Sequence, residues 1–158
     1  MKKNIFLPIF ASIFYWLFIA GCKTDDLAER IDFIKNQQWN NSQTLNYAFN
    51  IEDSAANYLL YFTFRHFNAY HYKNVWIQIT HITPNNINNE VKYEIPLAKD
   101  DEGWLGDGMY DIYYHKVLLD KKPIHLQKGN HQFVIKHIMR ENPLQFVLNC
   151  GFRIEKNQ

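Results

Sequence analysis

The chain has 158 residues, with 17 Lys and Arg against 16 Asp and Glu, 47% hydrophobic content and two cysteines. A balance this close to neutral argues against a nucleic-acid binder or a polybasic membrane face. The length provides one ordinary domain able to fold around its own core, and no second.

Lys2 and Lys3 supply a basic start, residues 5–19 an almost wholly apolar body, and Ala20-Gly21 two small residues directly before Cys22. That is the pattern of a bacterial lipoprotein signal, residues 1–21. The Cys22 thiol is the nucleophile a diacylglycerol transfer needs, and cleavage frees its α-amino group for a further acyl chain. Two or three chains anchor a protein stably where one does not. A spanning helix would not require the cysteine after Ala-Gly. Cleavage removes Lys2 and Lys3 and leaves 15 basic against 16 acidic residues. With Cys22 committed to lipid, Cys150 has no disulfide partner, and its apolar setting between Phe146 and Phe152 reads as a buried, inert thiol.

Residues 22–42 are polar and read as a lipidated tether. Leu27, Ile31 and Ile34 fall at helical spacings, but the stretch is too short to hold a helix alone. From residue 43 to 158 the period becomes two. Leu45 to Ile51, Tyr58 to Phe67, Val75 to Ile79 and Val91 to Leu97 read as strands, followed by Tyr110 to Val117, Ile124 to Leu126, Phe133 to Met139 and Leu148 to Ile154. Turn formers separate them, among them Pro84-Asn85-Asn86, Gly103 to Gly108, Lys128-Gly129-Asn130 and Glu141-Asn142-Pro143. About eight strands with no long amphipathic helix between them predict an all-β fold, an antiparallel β-sandwich of jelly-roll or Ig-like type.

No reaction chemistry stands out. His131 and His137 share a strand face six residues apart, about 20 Å, too far for one metal ion, and no other histidine pair has ligand spacing. Serine occurs only at positions 12, 42 and 54, outside any nucleophile motif. The carboxylates Asp101, Asp107 and Asp111 match no calcium loop. The expectation is a non-enzyme with neither metal nor cofactor. Gly103-Trp104-Leu105-Gly106-Asp107-Gly108 is the most unusual segment: Trp104 either plugs the open end of the sandwich, the favoured reading, or anchors a partner. Tyr70 and Tyr72 in the preceding loop pose the same choice. Arg140 and Arg153 stand in apolar strand contexts and are expected to tie strand ends to carboxylates, with Asp111 and Glu155 as partners.

Tyr70-His71-Tyr72-Lys73-Asn74, Ile95-Pro96-Leu97-Ala98, the glycine-rich segment around Trp104, Asp111-Ile112, Ile138-Met139-Arg140 and Gly151-Phe152-Arg153-Ile154-Glu155, together with Cys22, resemble the gliding motility lipoprotein GldH family of the Bacteroidota. The resemblance implies a non-enzymatic lipoprotein that binds other envelope proteins of the gliding machinery, which is linked to type IX secretion. Lys23, standing where an inner-membrane retention signal would place Asp, points to the outer membrane, with the periplasmic face favoured over the cell surface. Tyr70, Tyr72, Trp104 and Asp107 are the candidate partner-binding residues. The alternative is a surface glycan-binding module that stacks sugars on Tyr70, Tyr72 and Trp104.

Overall fold

The computed structural model describes residues 27–157, so the lipoprotein signal and Cys22 lie outside the described residues. In chain order the strands are β1 (Leu27–Phe33), β2 (Gln38–Trp39), β3 (Leu45–Ile51), β4 (Asn57–Phe67), β5 (Asn74–Ile82), β6 (Asn88–Pro96) and β7 (Ala98–Lys99). They continue with β8 (Gly103–Trp104), β9 (Asp107–Met109), β10 (Ile112–Leu118), β11 (Ile124–His125), β12 (Gly129–His137), β13 (Leu144–Gln145) and β14 (Val147–Asn157).

Two antiparallel sheets face each other. The larger runs β1-β14-β4-β10-β9, with β11 beside β4; the smaller runs β3-β12-β5-β6. Two short ladders, β2 with β13 and β7 with β8, stand apart from both. The fold is the antiparallel sandwich that period two predicts. β3 shows the reason most simply, because Leu45, Tyr47, Phe49 and Ile51 are buried while the residues between them are exposed. From the opposite sheet, β14 contributes Phe152, whose ring stacks on Phe133 of β12 at 4.4 Å. The Tyr47 hydroxyl crosses the core and donates to the Cys150 carbonyl at 2.9 Å. Cys150 is fully buried, and that burial pushes its thiol well above the ordinary cysteine range.

The folded region begins earlier than the residue-43 boundary taken from the pattern. Leu27–Phe33, read as tether, is β1 and pairs along β14 from Leu27 opposite Glu155 to Phe33 opposite Asn149. Trp39 is fully buried and its indole N–H donates to the Gln43 carbonyl at 3.0 Å. Hydrogen bonds and burial extend into this segment, so it is structure rather than spacer. Tyr110, read as the start of a strand, instead sits in the β9–β10 turn with φ of 53°.

Candidate functional site at one end of the sandwich

Strand direction brings one set of segments to the end of the sandwich remote from Leu27. β4 ends there at Phe67, β5 starts there at Asn74, β10 starts there opposite Phe67, and β6 ends opposite Asn74. The β4–β5 turn, the β9–β10 turn and the β7–β8 flap therefore share that end. So do all four candidate partner-binding residues, Tyr70, Tyr72, Trp104 and Asp107.

Three of the four belong to one aromatic cluster built around His66. Its imidazole lies 4.5 Å from the Trp104 ring, 5.0 Å from Tyr70, 5.8 Å from Tyr113 and 5.0 Å from His115. Tyr72 meets Tyr70 edge-on at 5.9 Å. Tyr70 is buried, and its hydroxyl donates to the Asn74 carbonyl at 3.1 Å. Trp104 is half-buried and donates its indole N–H to Asn68 Oδ1 at 2.8 Å. Trp104 thus closes the cluster as a plug. Tyr70 lies inside and Trp104 is turned onto His66, while Tyr72 and Trp104 each keep part of the ring at the surface. Asp107 stands apart, exposed and opposite Tyr114 on the outer face.

Hydrogen bonding fixes the tautomers beneath the plug. His66 Nδ1 lies 2.7 Å from the Phe67 carbonyl, which can only accept, so Nδ1 carries the proton. His66 Nε2 is then an acceptor, and His115 Nε2–H donates to it at 2.9 Å. Both rings are buried, and burial depresses both; His115 falls to about 4, lowered further by its neighbour His66. A second pair repeats the arrangement elsewhere in the core. His131 Nε2–H donates to the Gln127 carbonyl and His131 Nδ1 accepts from His81 Nε2–H, each at 2.8 Å. Among the described residues no three metal-ligating side chains come together.

Gly106 makes the close packing possible. A Cβ there would lie 2.5 Å from the Tyr114 carbonyl oxygen and 2.8 Å from the His115 ring, backbone and ring atoms with no slack. Gly106→Ala is expected to destabilise by roughly 1–3 kcal/mol, measured by urea denaturation. A neutral result would mean that the segment can move off His115.

Large apolar residues are exposed at both edges of this end. Met109 (72%) and Tyr110 (96%) stand together at the β9–β10 turn, and Phe33 (80%) stands at the opposite edge of the larger sheet, on β1. The backbone there is strained: Asn36, Gln37, Tyr110 and Phe146 all have φ between 55 and 64° or, for Tyr110, 53°. The left-handed region costs a non-glycine residue about 1–2 kcal/mol, and such strain gathers at functional sites. A cleft of about 460 Å³ opens beside it, lined by Gln37, Phe67, Asn68, Ala69, Asp111 and Phe146.

The expected arginine pairings divide. Arg153 binds Glu155 at 2.5 and 2.6 Å and approaches Glu29 at 3.5 Å, and Lys116 joins the same Glu155 at 2.6 Å. This network holds the Glu155 carboxyl below its ordinary range against the opposing effect of desolvation. Arg140 and Asp111 are both exposed, and no ion pair joins them. Sequence reasoning missed Phe33, Met109, Tyr110 and the histidine pairs. Two large apolar residues in succession at a turn, Met109-Tyr110, were the available signal.

The family model described as GldH lipoprotein matches residues 27–154. A gliding motility lipoprotein GldH homolog of Christiangramia forsetii is 26% identical over 94% of this chain and 95% of its own length. The gliding motility lipoprotein GldH of Flavobacterium johnsoniae is 26% identical over 75% of this chain and 77% of its own. Among solved structures, a carbohydrate-binding module specific for non-crystalline cellulose aligns over 82% of this chain and 73% of that one, with 9% identity and a TM-score of 0.45. With the matched span running from the first residue of β1 into β14, the chain belongs to the GldH lipoprotein family.

Proposed function

We propose that this chain is a non-enzymatic binding subunit of the gliding and type IX secretion machinery, anchored through lipid on Cys22 to the periplasmic face of the outer membrane. It works by holding a partner envelope protein at the end of the sandwich that carries Phe33, Met109 and Tyr110. The observation that supports this reading is the exposed pair Met109 and Tyr110 at the β9–β10 turn, with Tyr110 at positive φ, at the end remote from the point where the tether enters. Cys22 precedes Leu27 by five residues, a reach of at most about 17 Å. The seven residues of β1 carry the chain about 20 Å further to Phe33, so the apolar end faces away from the bilayer and is open to a partner. Residues of this kind carry interface energy, and large exposed apolar patches mark contact sites.

The test is a chromosomal Met109→Ser, Tyr110→Ser double substitution in the native host. Both side chains are exposed, so the thermal midpoint and the membrane level of the lipoprotein should match the parent. Gliding and secretion should fall to the level of a strain lacking the gene. Normal gliding and secretion in the double variant would refute this end as the working surface.

A further inference from the structure

We propose that the chain also pairs with a second copy of itself through the free edge of β6. The two β6 strands would run antiparallel about a two-fold axis at Val91, so that two four-stranded sheets become one. This interface is separate from the apolar end described above and does not depend on it.

β6 pairs with β5 over nine residues in unbroken register, and among the described residues no strand pairs with its other side. The bond from Thr83 N–H to the Ile87 carbonyl, 3.0 Å, marks these two as a hydrogen-bonded pair, and such pairs alternate along an antiparallel ladder. Asn89, Val91, Tyr93 and Ile95 therefore direct their N–H and C=O groups at β5. Asn88, Glu90, Lys92 and Glu94 direct theirs outward. Pro96 also falls in the outward set, and having no N–H it ends the row.

Across a new ladder each outward-facing residue must oppose another outward-facing one, which restricts the choice of register. With the axis at Val91, Glu90 of one copy stands opposite Lys92 of the other, twice, and Asn88 opposite Glu94, twice. Val91 then faces Val91 at the closely spaced non-hydrogen-bonded position. An axis at Lys92 would set Lys92 against Lys92 and Glu90 against Glu94; an axis at Glu90 would set Glu90 against itself. Opposite charges across a ladder stabilise it and like charges do the reverse. An axis at Tyr93 would again oppose Lys92 and Glu94 but would set Glu90 against Pro96, which has no N–H to give, so the Val91 register is the one that combines opposite charges with a complete ladder.

The inner side of the strand points the same way. Val91 is 46% exposed and the preceding Ile87 55%, although both share the strand face that packs inward. Beside Val91 a cavity of about 140 Å³ opens between the sheets, lined by Leu60, Ile79, Leu119, Ile124 and Phe133 among others. A second Val91 would cover its mouth. β6 lacks the mid-strand proline or bulge that commonly blunts an open edge.

The test uses the full-length lipoprotein in detergent, followed by analytical ultracentrifugation over a range of concentrations. Glu90→Lys and Lys92→Glu each place like charges opposite one another twice, and each should weaken dimerisation about tenfold or more. The Glu90→Lys, Lys92→Glu double variant exchanges the partners and should restore it. In native membranes Val91→Cys should give a disulfide dimer on oxidation that neither the parent nor Asn46→Cys, on the edge strand β3, gives. A monomer at every concentration with no Val91→Cys dimer would overturn the proposal, as would a dimer indifferent to both single reversals. An adduct of Val91→Cys with a different protein would assign the edge to that protein and exclude the second copy.

Discussion

Phe152→Ala should lower the free energy of unfolding by roughly 3–5 kcal/mol, the largest loss expected from any single truncation described for this chain. Its ring is fully buried on the interior strand β14 and meets Phe133 at 4.4 Å, Phe49 at 6.0 Å and Tyr47 at 6.4 Å. β14 is hydrogen-bonded to β1 on one side and β4 on the other, so the backbone cannot settle into the space left by the ring. Cavity cost therefore adds to lost transfer energy. Urea denaturation should show a lower midpoint with unchanged slope. Phe33→Ala is the control: the same residue type in the same sheet, but exposed, and expected to stay within about 0.5 kcal/mol of the parent. Equal losses at the two positions would contradict the placement of the core.

Acidification from pH 7 to pH 4.5 should remove several kcal/mol of stability without any substitution. His66, His81, His115 and His137 are all held below the ordinary histidine value by burial, His81 and His115 down to about 4. Between about 6.5 and 4 the unfolded chain takes up protons that the folded chain refuses, so stability falls as the pH falls. It is fully present above the unfolded value and lost through the folded one. For a group displaced from about 6.5 to about 4 the linked loss is roughly 3 kcal/mol. The surroundings of both pairs are aromatic: His81 packs on Phe133 at 4.4 Å and on His131, while His66, stacked on His115, is ringed by Tyr70, Trp104 and Tyr113. Protonating His66 would also set one N–H against another at 2.9 Å. A urea midpoint that stays constant between pH 7 and pH 4.5 would show that these rings are solvated or already charged in the folded protein.

The two sheets were legible where hydrophobicity and burial agree. In β3 and in Phe133 to His137 of β12 the apolar set faces the core, so alternation reported both the strand and its orientation. In β1 the same period is present with its polarity reversed. Ile31 and Phe33 face solvent, whereas Arg30 lies over the Phe49 ring at 5.9 Å and Asp32 reaches Tyr47. An edge strand can face this way because its inward polar groups still reach water or a partner at the rim, and a reader of hydrophobic pattern sees only a polar tether. Trp39 was hidden similarly, since its burial depends on β13, more than a hundred residues away in sequence. At the candidate site, Trp104 and its glycines were conspicuous as residue types. The histidine pairs were not, because His66 meets a residue 49 positions on, and His81 one 50 positions on, through strand register alone.

The place of β14 in the larger sheet sets an order of events during biosynthesis. β1 and β4 flank it and touch it along its length, yet both are synthesised long before it, and Leu27 waits for Glu155. Until β14 emerges, β1 has no strand to pair with in the larger sheet and the Phe152 position of the core is empty. A growing chain is therefore kept from closing its larger sheet until synthesis is nearly finished. Once it closes, the many pairings between distant segments place it among slow folders, on the millisecond-to-second scale.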